Sequence, residues 1–216
     1  MKYKMNFSYD EVIKQIDTLD KRAKKIMHQK GNTVKLTYEV LYVMSVIDKS
    51  VKLIDGVLDA IDKRNITVLA VLTRVQMDCV SKVYALTLVE NPNALAEDVL
   101  FEKKQMNKIV GKENKRFTDR YLAEKVGDWL KLPVYELYRK VCGFVHFSDM
   151  SFHTMVDTYN QDGFSMLSLS RNNPPEKAEE FERLTLELAN QFLFFGNVLI
   201  DELFDSWVKQ CLEIDE

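Results

Sequence analysis

The sequence predicts an all-α protein, a multi-helix bundle of about seven helices with one small β-hairpin inserted. Three observations carry that expectation. Apolar residues recur at helical spacing through most of the chain. Glycine and proline, seven and four in 216 residues, are too few for a turn-rich β fold. Helix-start residues stand directly before several of the periodic runs. A composition of 46% hydrophobic and 29% charged residues is that of a globular chain, and residues 1–216 read as a single helical domain with room for a sizeable core.

The first helix opens at "SYDEV", where Ser8 and Glu11 have capping-box spacing. Val12, Ile13, Ile16 and Leu19 follow on one face, and Gly31 can end the helix. A second is expected over Thr37 to Asp62, with Val40, Leu41, Met44, Ile47, Val51, Ile54 and Leu58 apolar. The third, Ile66 to Val89, differs in kind. Sixteen of the 25 residues from Ile66 to Glu90 are apolar and lie on all sides, as in a central, buried helix. A fourth starts at Asn91, a cap followed by Pro92 in the first turn. Another can start near Thr118, and the next follows Pro133. "FHTMVDTYNQDGFSMLSLS" reads as the hairpin, placed at 152–170 around Asn-Gln-Asp-Gly. Pro174 and Pro175 introduce a long C-terminal helix over 175–212, interrupted at most near Gly196.

Charge is unevenly distributed. The net value of −3 combines −8 from Glu176 onward with +5 in the preceding 175 residues. The main body therefore permits a nucleic-acid partner without demanding one. Its basic stretch, Glu102 to Arg120, contains seven Lys or Arg against three acids. Lys112, Lys115 and Arg116 are its candidate phosphate contacts, against the plainer reading of a solvated helix end and loop. Cys79, Cys142 and Cys211 are far apart and odd in number, which fits free thiols in a reducing compartment. No signal peptide or transmembrane run is visible in the sequence, so a cytoplasmic protein with no membrane role is expected.

The stretch "YRKVCGFVHFSDMSFH" holds the chemistry. On a helix, Val134, Leu137, Val141 and Val145 form an apolar stripe, while Arg139 and His146, seven apart, share an edge away from it. Cys142 and Gly143 lie between them and leave room for approach. Imidazole can move a proton near neutral pH, and a guanidinium can hold two phosphate oxygens. The pair suits RNA phosphodiester cleavage without a metal, because the ribose supplies the nucleophile. The plainer alternatives are a histidine that caps a neighbouring helix and an arginine in a salt bridge. His146, Asp149 and His153 would share a ligand face if the helix continued, but Ser148 and Ser151 read as caps, so no metal site is assigned. Arg74 and Asp78, four apart in the most apolar helix, form either a packing ion pair or part of a substrate-binding pocket with Arg139 and His146. No cofactor motif is present.

An arginine followed after six residues by a histidine in an all-helical chain resembles the HEPN superfamily. "TDRYLAEKV" followed by "LYRKVCGFVHFSD" also looks like a bacterial family of uncharacterised helical proteins, with relatives among abortive-infection and toxin systems. The overlap covers Ile66 to His153. The resemblance implies a homodimer whose arginines and histidines line one RNA-cleaving cleft, with Arg139 and His146 as the catalytic pair in bacterial defence or stress. Two features depart from the pattern: Lys140 follows Arg139 where asparagine is common, and a hairpin follows the motif. The alternative function is a non-enzymatic helical module that binds a partner protein or a nucleotide.

Overall fold

The computed structural model describes residues 6–28, 35–145, 156–159, 165–167 and 178–213. The described fold is all-α, with seven helical stretches, and most start where a polar side chain accepts the first free backbone N–H groups. Helix α1 comprises Tyr9–Asp17 and Leu19–His28, interrupted at Thr18. At its start the Glu11 carboxylate accepts from both the backbone N–H (3.1 Å) and the hydroxyl (3.0 Å) of Ser8. Helix α2 comprises Tyr38–Lys52 and Ile54–Asp62, with Thr37 accepting from the Val40 N–H. Helix α3, Ile66–Ala85, is capped by Asn65 and tightens into a 3₁₀ turn at Leu86–Leu88. Helix α4, Pro92–Leu100, has the Asn91 cap and early proline that its sequence predicts.

Thr118 caps α5, Asp119–Leu130, and α6 covers Val134–Val145. Helix α7, Ala178–Asn197, continues through a π-helical turn at Val198–Phe204 into Asp205–Glu213. The irregularity expected near Gly196 is this π turn. A Cβ on Gly196 would stand 2.9 Å from Leu19 Cδ1, so the glycine lets α1 and α7 approach closely. Gly31 and residues 171–177, the expected end of α1 and entry to α7, lie outside the described residues. So does most of the stretch expected to form the hairpin. Of it, Val156–Tyr159 and Ser165–Leu167 are described, paired antiparallel.

Helix α3 is the central element and packs against α2, α5, α6 and α7. Leu69, Ala70, Met77, Val80 and Val83 are buried among these neighbours. Its N-terminal end is less enclosed than an all-round apolar pattern suggests, because Val68 and Val71 are 42% and 37% exposed. On the far side, α7 buries Phe192, Leu193, Phe195 and Leu199 completely or almost so. No helix among the described residues is long and apolar enough to cross a membrane.

The turn from α5 to α6 places the candidate site. Lys131 ends α5 in the left-handed conformation (φ 56°), and the Leu132 N–H returns to the Gly127 carbonyl at 3.1 Å. A Cβ on Gly127 would lie 2.8 Å from the Leu132 carbonyl oxygen, which is backbone and cannot rotate away. The Gly127→Ala variant should therefore lose about 1–3 kcal/mol of stability by overpacking. Gly56→Ala is the contrasting case. Its Cβ meets only the flexible end of Leu72 at 3.3 Å, while helix propensity gains about 1 kcal/mol. Urea unfolding of the two variants should show Gly127→Ala destabilised and Gly56→Ala unchanged or stabilised.

Candidate functional site

Helix α6 presents Val134, Tyr138, Val141 and Phe144 to the core, with Leu137 only half-buried. The core face is thus rotated from the stripe expected through Leu137, and the reason is Tyr138. Its ring packs inward while its hydroxyl reaches a charged group on α3. That group is Arg74, which sits where α3, α5 and α6 meet. Its Nη1 donates to Asp78 Oδ2 (3.1 Å), its Nε to Cys142 Sγ (3.3 Å), and its Nη2 to the Tyr138 hydroxyl and to Asp119 Oδ2 (3.4 Å). Tyr138 donates onward to Asp119 Oδ2 at 3.1 Å, and the guanidinium carbon lies 5.0 Å from the centre of the tyrosine ring.

One guanidinium therefore serves two carboxylates, a phenol and a thiol. The Arg74 and Asp78 side chains are only about one-quarter exposed, whereas that of Asp119 is 68% exposed. Burial raises the Asp78 carboxyl above its ordinary value, and the attraction of Arg74 does not offset it. Burial also opposes charge on Arg74, but Asp78, Cys142 and Tyr138 together outweigh it and hold the guanidinium more firmly protonated. Burial, followed by the Asp78 charge, raises the Tyr138 phenol. Tyr138 is a hydrogen-bond donor at neutral pH and not a base.

Outward from this network lies an open depression of about 410 Å³, lined by Asp119, Arg120, Tyr135, Tyr138, Arg139, Cys142 and Gly143. Arg139 is exposed and makes no ion pair or hydrogen bond among the described residues. Arg120 donates to Glu124 Oε1 (2.8 Å) and stands over the Tyr135 ring at 5.2 Å. The depression thus offers an uncommitted guanidinium beside aromatic surface, a setting suited to a phosphorylated ligand. His146, together with Asp149 and His153, lies outside the described residues. Among the described residues no cluster of His, Cys, Asp or Glu is arranged to hold a metal ion. Cys79 and Cys142 are free thiols, and burial pushes the Cys79 thiol up to about 11.

The sequence-derived residues separate into two places. Arg74 and Asp78 form the ion pair expected of their spacing, and Tyr138 and Cys142 connect that pair to the depression holding Arg139. The basic loop is elsewhere. It closes through a bridge between Val110 and Arg116, and the Gly111 N–H donates to the Lys115 carbonyl (3.0 Å). Lys112 is tied to the end of α3, its ammonium donating to the Thr87 carbonyl (3.4 Å), while Lys115 and Arg116 are exposed. Lys112 lines a different cavity from Arg139. Tyr138, Asp119 and Arg120 escape a reading based on motif spacing. All three lie in the stretches "TDRYLAEKV" and "LYRKVCGFVHFSD", and Tyr138 is also in phase with Val134 and Val141 on α6.

The network has measurable consequences. Arg74→Ala leaves Asp78 without its closest cation and should cost about 1–3 kcal/mol, less than the loss for a fully buried pair because these side chains are partly exposed. Asp78 titrates with a raised value in the fold. Its favourable contribution is complete below the ordinary carboxyl value of 3.8 and declines as pH rises through the raised one. Wild type should therefore lose stability relative to Asp78→Asn as pH rises from 3.8 through the raised value and change no further above it, as followed by urea unfolding. The opposite slope would mean that attraction to Arg74 outweighs burial. The chain matches no protein-family model, no curated protein and no solved structure.

Proposed function

We propose that the chain is a HEPN-like protein of the cytoplasm that acts on RNA as a metal-independent endoribonuclease, in bacterial defence or stress, working as a homodimer. The observation that supports this reading best is Arg139. It stands exposed on the edge of α6, unpaired among the described residues, at the rim of a depression with Arg120 and two tyrosine rings. A guanidinium held there can neutralise phosphoryl oxygens as charge builds on them. Arg74 stands behind, its donors committed to Asp78, Tyr138 and Cys142, so it positions α6 and does not itself receive the phosphate.

In this reading the ribose 2′-hydroxyl attacks the adjacent phosphorus, and the bond from phosphorus to the 5′-oxygen breaks. The products are a 2′,3′-cyclic phosphate and a 5′-hydroxyl. His146, one residue beyond the described end of α6, takes the 2′-hydroxyl proton or supplies one to the leaving oxygen. The second copy contributes the same pair to the cleft. The surplus positive charge before Glu176 favours approach of a polyanion.

Purified protein incubated with mixed RNA in EDTA should generate cyclic-phosphate ends. Arg139→Ala and His146→Ala should each lower the rate by about a hundredfold or more. Intact RNA across varied substrates, or full activity in either variant, would overturn the assignment.

A further inference from the structure

A second cavity, of about 620 Å³, lies between α3, the entry to α4, the end of α5 and the C-terminal part of α7. Its walls are aromatic and acidic. Trp129 is 37% exposed and stacks on Tyr84 with ring centres 5.0 Å apart. Trp207 is nearly buried, and its indole N–H donates to Glu39 Oε1 at 2.7 Å. Glu90 and Glu202 supply two further carboxylates. Lys112 is the one basic residue among the described lining residues, and its ammonium is directed to the Thr87 carbonyl. The carboxylates outnumber it three to one.

We infer that this cavity binds a small organic cation, an alkylammonium head received by the Tyr84, Trp129 and Trp207 rings and the Glu39 and Glu90 carboxylates. Two physical terms converge on that class. Aromatic faces attract a cation through the negative charge of the π surface, most strongly in tryptophan. A weakly hydrated alkylammonium also loses little on leaving water for an apolar wall. An anionic ligand meets three carboxylates here, and a neutral one gains nothing from them. The fixed hydrogen bond between Trp207 and Glu39 holds an indole and a carboxylate in place before the ligand arrives, which lowers the ordering cost of binding.

Trp129 and Trp207 are the two tryptophans of the chain, so intrinsic fluorescence reports on this cavity. Choline titrated into the full chain should produce a saturable fluorescence change, with 3,3-dimethylbutan-1-ol, its neutral carbon isostere, at least about tenfold weaker. Trp129→Ala and Glu90→Gln, both at exposed positions, should each weaken choline several-fold, with Trp207 reporting in the first. Tetramethylammonium should compete with choline. Absence of a saturable change with choline, equal binding of the isostere, or undiminished binding in both variants would overturn the inference.

Discussion

Helix α3 can occupy the centre of the bundle only if its charged side chains find partners there. The helix is apolar around most of its circumference, yet Arg74 and Asp78 lie midway along it, each about three-quarters covered. A charge so placed must be paired or hydrogen-bonded at each of its polar atoms. Arg74 meets that requirement with Asp78 on its own helix, Asp119 from α5, and Tyr138 and Cys142 from α6. The same bonds set the rotation of α6, turning Tyr138 inward and leaving Arg139 on the outer edge. The exposed guanidinium is thus a geometric consequence of how the buried one is satisfied.

The two cavities differ in electrical character, and helix α5 contributes to the lining of both. Toward α6, two arginines, two tyrosines and Asp119 line an open depression. Toward α7, two tryptophans and three glutamates line a larger one. Only Glu202 comes from the acidic part after Glu176; Glu39 and Glu90 belong, like Arg120 and Arg139, to the basic main body, so the packing of the helices and not the distribution of charge along the chain gathers the carboxylates. The α5–α6 turn, closed over Gly127, holds the first side in register.

Much of the helical architecture was legible in local signals. Thr37, Asn65, Asn91 and Thr118 each cap the helix that follows them, because a side-chain oxygen can reach backbone N–H groups within its own first turn. The interruptions at Thr18 and Leu53 left no such mark. Neither site has glycine or proline, and the breaks adapt α1 and α2 to the helices packed against them. The π turn after Gly196 was visible only as a glycine in an apolar run. Its consequence, Asp201 and Asn197 both meeting Arg22 on α1, depends on a helix almost the whole chain away.

The candidate site divides along the same line. Arg74 with Asp78 could be read as a pair because four residues of helix bring their side chains together. Arg139 could be read as an edge residue from its phase against Val134 and Val141. By itself, then, the sequence determined the helical class, the capped starts and the pairs one helical turn apart, since these depend on backbone geometry that repeats every few residues. Only the tertiary structure decided that Asp119, Tyr138 and Cys142 share one guanidinium, that Lys112 stands apart from Arg139, and that both tryptophans line one acidic cavity. Those contacts join residues from 19 to 78 or more positions apart through the packing of separate helices, and no local periodicity records how two helices will meet.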